Sequence, residues 1–255
     1  MSDILVHIER DGGVGRILLD RPPLNVLDLT MMAQLSAGVR RLGADPKVRV
    51  VAIAGVGKAF CAGVDVADHS ADRVGAMLER FHGAIRDLIA LEQPVVALVH
   101  GAALGGGCEL ALACDMVLAR DDATLGQPEV RLGVFPPVAA VLLPRLVGRQ
   151  RALELVLSGR TFGAEAARAM GLVSEVFPSD RWQGEIHHWL ERMAALSGSA
   201  LRLAKRAVTG GLDLPFSAAL SHAEDLYLRE LMVTADAQEG IAAFLQKRKP
   251  VWQEA

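Results

Sequence analysis

The stretch "HGAALGGGCELALACDMVLA", His100–Ala119, poses the question on which the fold turns. Three consecutive glycines, Gly105–Gly107, stand ahead of an apolar, helix-like run that carries one carboxylate, Glu109. Glycine costs a helix about 1 kcal/mol against alanine, and an unpaired buried carboxylate costs considerably more. A chain that accepts both implies something small coming very close to this backbone. Tight helix–strand packing is the plainest explanation, and a nucleotide loop is another. The order G-A-A-L-G-G-G is not G-x-G-x-x-G, however, and lacks the Lys-Ser/Thr of a phosphate loop. A third reading fits better. Glycines at a helix N-terminus leave backbone N–H groups open to an anion or a polarised carbonyl, which is half of an oxyanion hole.

Outward from this stretch, strands and helices alternate. Before it, "PVVALVHG" and "VRVVAIAGV" are continuous apolar runs, as expected of parallel strands covered on both faces. "ILVHIERDGGVGRILLDRP" gives two alternating strands around Asp11-Gly12-Gly13. Asp28 is placed to cap a helix with Leu29, Met32, Leu35, Val39 and Leu42 on one face. Residues 72–92 have a second helical stripe through Val74, Leu78, Phe81, Ile85, Leu88 and Ile89. After it, "DMVLARDDATLGQPEV" predicts two short strands, and from Ala140 onward helical patterns dominate. The division is an α/β core over residues 1–194 followed by a helical region over 195–255.

Two further elements bear on chemistry. The loop "AFCAGVD" leaves a buried strand through small residues, as a loop must if its amides are to touch a ligand, although a plain tight turn has the same look. Glu129, in "LGQPEVRLG", is expected in a short loop bounded by apolar strands. A lone glutamate is ordinarily solvated or salt-bridged. Two beside a backbone-donor site form a pair able to share general acid and base work, with burial raising their pKa values toward neutrality. The histidines show no metal-ligand spacing, and no serine or cysteine sits on a nucleophile elbow. "QKRKPVW" near the C-terminus reads as a solvated basic tail or a phosphate contact.

Composition narrows the class. Of 255 residues, 51% are hydrophobic and 22% charged, which makes a packed globular chain. A net charge of −3 without a basic stripe argues against nucleic-acid binding. Three cysteines without a CxxC pair read as reduced thiols. The N-terminal "MSDILVHIERDGG" lacks the apolar core of a signal peptide, and no apolar run reaches the ~18 residues of a membrane span. The expectation is a cytoplasmic protein with no membrane partner.

Taken together and in order, "RPPLNVLD", "GKAFCAGVD", "GAALGGGCELALACD", "LGQPEVRLGVFP", "ELVLSGRTFGAEAARAMGLVSEVFP" and "EGIAAFLQKRKPVW" resemble the enoyl-CoA hydratase/isomerase (crotonase) superfamily over nearly the whole chain. The resemblance implies a spiral of ββα turns with a C-terminal helical trimerisation region, assembled as a homotrimer or a dimer of trimers. It implies that the N–H groups of Val64 and Gly106 form an oxyanion hole for a thioester carbonyl, and that Glu109 and Glu129 position water and shuttle protons. It puts Asn25 in an early substrate-binding loop and Ala62 near the adenine of CoA. Phe244 and Lys247 match residues that meet CoA, on a neighbouring subunit in the assembly. No separate cofactor and no metal are implied, CoA being part of the substrate.

The chain departs from the family at one place. Where hydratases continue with a glycine-rich run, it reads "VFPPVAAVLLPRL". The position eight residues past the second glutamate, whose glycine amide holds the catalytic water in the family, is Pro137, which has no N–H. Together with "PPLNVLDLTMM", this segment is similar to the cyclohexa-1,5-diene-1-carbonyl-CoA hydratases of anaerobic benzoyl-CoA degradation, lyases that form 6-hydroxycyclohex-1-ene-1-carbonyl-CoA. A short-chain 2-enoyl-CoA hydratase or an enoyl-CoA isomerase is the alternative within the family. A non-catalytic CoA- or RNA-binding member is the alternative outside its chemistry.

Overall fold

Alternating faces of one sheet explain the continuous apolar runs. The computed structural model describes residues 5–253. Ile4 of the first expected strand and most of the N-terminal segment's beginning lie outside them. Strands β1 (Val6–Asp11) and β2 (Val14–Leu19) form the expected antiparallel hairpin. Helix α1 (Leu29–Gly43) starts where Asp28 Oδ1 accepts the Met31 amide at 2.8 Å. It buries Met32, Leu35, Val39 and Leu42. Strand β3 (Val50–Gly55) pairs parallel with β2, and helix α2 (Val74–Ile89) follows a 3₁₀ turn at Val66–His69. The α2 stripe is as expected except at its end, where Ile89 is half exposed.

Strands β4 (Val95–Val99) and β6 (Met116–Arg120) extend the sheet, with β5 (Ala102–Leu104) and helix α3 (Gly106–Leu112) between them. β5 is a correction to the helix-like reading of the glycine-rich run, because three residues are too few to show a period of two. Strand β7 (Thr124–Gly126) leads into a 3₁₀ turn, Pro128–Leu132, so Glu129 sits on that turn and not in a loop between two strands. Helix α4 (Pro137–Ser158) begins three residues before Ala140, with proline at its first position, where no intrahelical N–H is needed. It is interrupted at Gly148, whose φ of 75° breaks the helical path. Two short strands, β8 (Thr161–Gly163) and β9 (Glu175–Phe177), flank α5 (Ala164–Ala169) inside the region expected to be helical. The sequence around them carries too little alternation to betray them.

The six-stranded sheet runs β1-β2-β3-β4-β6-β9, parallel after the first pair, and a three-stranded sheet runs β5-β7-β8. Ile17, Val51, Ile53, Ala97 and Val99 face the helices α1 and α2 in one core. Val50, Ala52, Val96, Leu98 and Leu118 point the other way, onto Trp182, Ile186 and Trp189 of α6 (Trp182–Ala194). Each of these side chains, fully buried, contributes about 1.5–3 kcal/mol against exposure. Helices α7 (Gly198–Gly211), α8 (Phe216–Asp225) and α9 (Ala235–Leu245) end the chain, with a π-helical stretch at Leu226–Leu231 between the last two. Among the described residues no helix is long and apolar enough to cross a membrane.

Candidate active site

The fold brings two loops together through backbone bonds. The loop after β3 runs beside β5: Cys61 N–H donates to Ala102 O at 3.0 Å, and Leu104 N–H to Cys61 O at 3.0 Å. On its other side, Leu27 N–H donates to Gly63 O at 2.8 Å and Asp65 N–H to Leu27 O at 2.9 Å. Val64 lies between these two bonds, so its own N–H faces away from Leu27 and toward α3. Gly106 opens α3, where the first amides have no intrahelical acceptor. A Cβ placed on Gly106 would lie 3.5 Å from Val64 N, so the two residues approach closely.

Asn25 holds this arrangement from below. Its side chain is buried, with φ at +54°, and Nδ2 donates to Val56 O at 2.9 Å and Ala59 O at 2.8 Å, while Oδ1 accepts the Arg21 amide at 2.9 Å. Asn25 therefore clamps the loop from within, and it is not among the cavity-lining residues. Asn25→Ala leaves several buried carbonyls without donors, and we expect it to lower stability by about 3 kcal/mol in urea denaturation.

A cavity of about 430 Å³ opens beside Val64 and Gly106. Ala62, Val64, Gly106, Glu109, Glu129 and Pro137 all border it. Glu109, in the first turn of α3, is buried and accepts the Ala139 amide at 2.8 Å through Oε1. Its carboxyl is pushed up to about 7, first by burial and further by the charge of Glu129, against the pull of the Ala139 amide. Glu129 is also raised, by burial. Its Oε2 is buried without a hydrogen-bond partner. Both carboxyls are thus held above their ordinary range at the border of one cavity.

The other wall is apolar. Leu132, Val134, Phe135 and Pro136 come from the turn and the approach to α4, and Met77, Leu78 and Phe81 from α2. Pro137 offers no amide here. The donors at this end are the Ala139 amide and, next to it, the Val138 amide, and both act on Glu109. Sequence reading gave no hint of Ala139, since any residue but proline supplies an amide. It also passed over His69 and His82, which border the cavity. The signal was present: His82 stands four residues past Leu78 on the apolar stripe of α2.

Phe244 and Lys247 are not brought to the cavity within this chain. Phe244, near the end of α9, is 83% exposed, and Lys247 follows the helix with φ at +54°. The three cysteines are unpaired and buried, and burial pushes the Cys61 and Cys108 thiols up to about 12, far from a nucleophile's range. Among the described residues no three His, Cys, Asp or Glu side chains are grouped to hold a metal.

Comparison with known proteins agrees with this geometry. The family model described as "Enoyl-CoA hydratase/isomerase" matches residues 9–255. The cyclohexa-1,5-dienecarbonyl-CoA hydratase of Thauera aromatica is 37% identical over 252 residues, covering 99% of this chain and 97% of the relative. A probable enoyl-CoA hydratase of Rhizobium meliloti is 40% identical, covering 98% of each. The crystal structure of an enoyl-CoA hydratase from Bacillus anthracis superimposes with a TM-score of 0.94 at 32% identity, covering 99% of this chain and 100% of that one. With its crotonase fold and two raised carboxyls bordering one cavity, the chain belongs to the enoyl-CoA hydratase/isomerase family and is a lyase of the enoyl-CoA hydratase type.

Proposed function

We propose that the chain adds water 1,4 across cyclohexa-1,5-diene-1-carbonyl-CoA, giving 6-hydroxycyclohex-1-ene-1-carbonyl-CoA, in the anaerobic degradation of aromatic compounds. The observation that carries the reading is the pair of carboxyls, Glu109 and Glu129, bordering one cavity, with Glu109 held by the Ala139 amide. Water loses a proton to one carboxylate of the pair, and its oxygen bonds the β-carbon of the thioester. The electron pair moves to the carbonyl oxygen, where the Val64 and Gly106 amides stabilise the enolate, each donor being worth about 3 kcal/mol. The pair returns through the conjugated ring to a carbon across from the new hydroxyl, which takes a proton from the carboxyl partner. Nothing is oxidised or reduced.

Two features support the ring substrate over a linear one: the wall before α4 is wholly apolar, and Pro137 withdraws the amide that the family uses to hold water. Ala62, at the cavity edge, is the contact assigned to the adenine end of CoA. Phe244 and Lys247 meet CoA from a neighbouring subunit in this reading, with residues 195–255 as the helical assembly region of a trimer or dimer of trimers. Exposed Leu212, Phe216, Leu228 and Leu245 on those helices support it, since a monomer rarely leaves so much apolar surface open. The three reduced thiols suit the cytoplasm.

The test offers crotonyl-CoA and the cyclic dienoyl-CoA separately and follows the gain of one water by mass spectrometry. Hydration of the diene at least tenfold faster supports the reading. Preference for crotonyl-CoA makes this a short-chain 2-enoyl-CoA hydratase.

A further inference from the structure

The strand-like segment that carries Val64 is held differently along its length. At Cys61 it is bonded to β5, but β5 ends at Leu104, and the bridge made at Val64 is to Leu27, in the loop before α1. The same loop also meets the segment at Ala62, whose N–H donates to Leu24 O at 2.9 Å. The direction of the Val64 N–H therefore follows that loop. Asn25 fixes the loop to residues upstream of Val64, through Val56 O and Ala59 O. Arg21 fixes it to the residue downstream. Its Nη1 donates to Val26 O at 2.8 Å, and its Nη2 donates to Asp65 Oδ2 at 3.3 Å. Its Nε lies 3.4 Å from Oδ2 of Asp28, whose other oxygen caps α1. The backbone of Arg21 is tied down as well, its N–H to Asn25 Oδ1 and its carbonyl to the Asn25 N–H. One planar fork thus meets a carbonyl and two carboxylates, a geometry that the single ammonium of lysine does not match. Arg21, Asp28 and Asp65 are partly buried, and none of the three borders the cavity.

Resting on the reading of the Val64 amide as an oxyanion donor, we propose that Arg21 is a positioning residue for water addition: by bridging Val26 O and the Asp65 carboxylate it sets the direction of the Val64 N–H. Leu27 and Val64 lie between the two ends of this bridge in the paired loops, so loss of the guanidinium frees the pair to shift together. The amide would then miss the carbonyl oxygen by a fraction of an ångström. A donor matters most where charge develops, so the loss falls on the transition state and hardly on the bound thioester. Partly exposed ion pairs contribute little to stability, so the fold itself has little need of this one.

The test compares the wild type with Arg21→Gln, Arg21→Lys and Asp65→Asn in two measurements. Steady-state kinetics uses whichever thioester the wild type hydrates. Difference infrared spectroscopy follows the thioester carbonyl stretch of bound cyclohexanecarbonyl-CoA, isotope-labelled at the carbonyl, which cannot react. Arg21→Gln is expected to lower kcat about tenfold or more, with KM within about threefold, as partial loss of one oxyanion donor should. Its bound carbonyl stretch should move back toward that of the free thioester. Arg21→Lys should fall between the two in both readouts, and Asp65→Asn should show a smaller change in the same direction. A role in folding alone would lower the melting temperature and leave kcat and the carbonyl band of the folded enzyme where they were. A kcat within twofold of wild type in Arg21→Gln, or a lowered kcat with an unmoved band, overturns the proposal. So does a raised KM at unchanged kcat, which would make Arg21 a contact to the anionic CoA. Should Arg21→Gln fail to fold, Asp65→Asn decides, and an unchanged kcat and band there overturn the proposal. Failure of the oxyanion reading shows separately, as a wild-type carbonyl band no lower than that of the free thioester in water, and it overturns both. If the wild type hydrates neither thioester, the hydratase reading fails while the infrared comparison still tests Arg21.

Discussion

Glu109→Gln is expected to slow water addition about a thousandfold at pH 7, with KM changed severalfold at most. General acid–base groups contribute about 10²–10⁴ in rate, and this one is isosteric with its replacement. The amide oxygen of Gln still accepts the Ala139 N–H, so the cavity keeps its shape and only proton transfer is lost. Steady-state kinetics on whichever thioester the wild type hydrates gives the answer. A loss below tenfold removes Glu109 from the proton path.

The same variant has a second signature, in stability. The Glu109 carboxyl moves from 4.5 to about 7 on folding, so the folded protein binds this proton more tightly than the unfolded chain. Stability from that proton is complete below the unfolded value and is lost as pH rises through the folded one. Across that window the loss amounts to about 3 kcal/mol, the carboxyl being almost wholly buried. Glu109→Gln carries no such penalty. Urea denaturation at pH 4 should find wild type and variant alike, and at pH 8 the variant should be the more stable.

Gly106→Ala is the second large effect, and it resolves the three glycines into three separate demands. At Gly106 a Cβ meets Val64 Cγ2 at 2.7 Å and Phe81 Cζ at 3.3 Å, both side-chain atoms that can shift. The variant should fold, but its methyl group disturbs the two amides, and kcat should fall by about 10²-fold or more, as when one oxyanion donor is removed. At Gly107 the Cβ would stand 2.0 Å from Cys61 O, a backbone atom fixed by its own bond to Leu104 N–H. Gly107→Ala should therefore fail to yield folded protein. At Gly105, with φ at +52°, the nearest atom is Glu129 Oε1 at 2.7 Å, so a side chain there displaces a carboxylate. Circular dichroism and kcat on the three alanine variants separate these cases, and loss of folding in Gly106→Ala would place that glycine with Gly107.

The covered strands and the first two helices were legible in the sequence because each has its own period or its own cap, as Asp28 has. β5, β8 and β9 were not, since three residues cannot display a period and their pairing is decided by distant partners. The site divides in the same way. Glycines next to a carboxylate suggest a backbone-donor site, although Gly107 answers to close packing against Cys61 O instead. The Ala139 amide, the inward turn of Asn25 and the place of His82 at the cavity border depend on where α4, the first loop and α2 arrive, which no local pattern records.

All seven residues of α3 are buried, whereas none in the 3₁₀ turn Pro128–Leu132 is, and Leu132 and Phe135 are 63% and 64% exposed. The catalytic wall is thus locked into the core, and its residues cannot change without endangering folding. The facing wall carries little of the core's energy, so substitutions at 132–135 are expected to act on acyl-group preference and hardly on stability. Such a division lets descendants of one ancestral chain drift from one acyl group to another through folded, active intermediates, with the proton chemistry inherited intact.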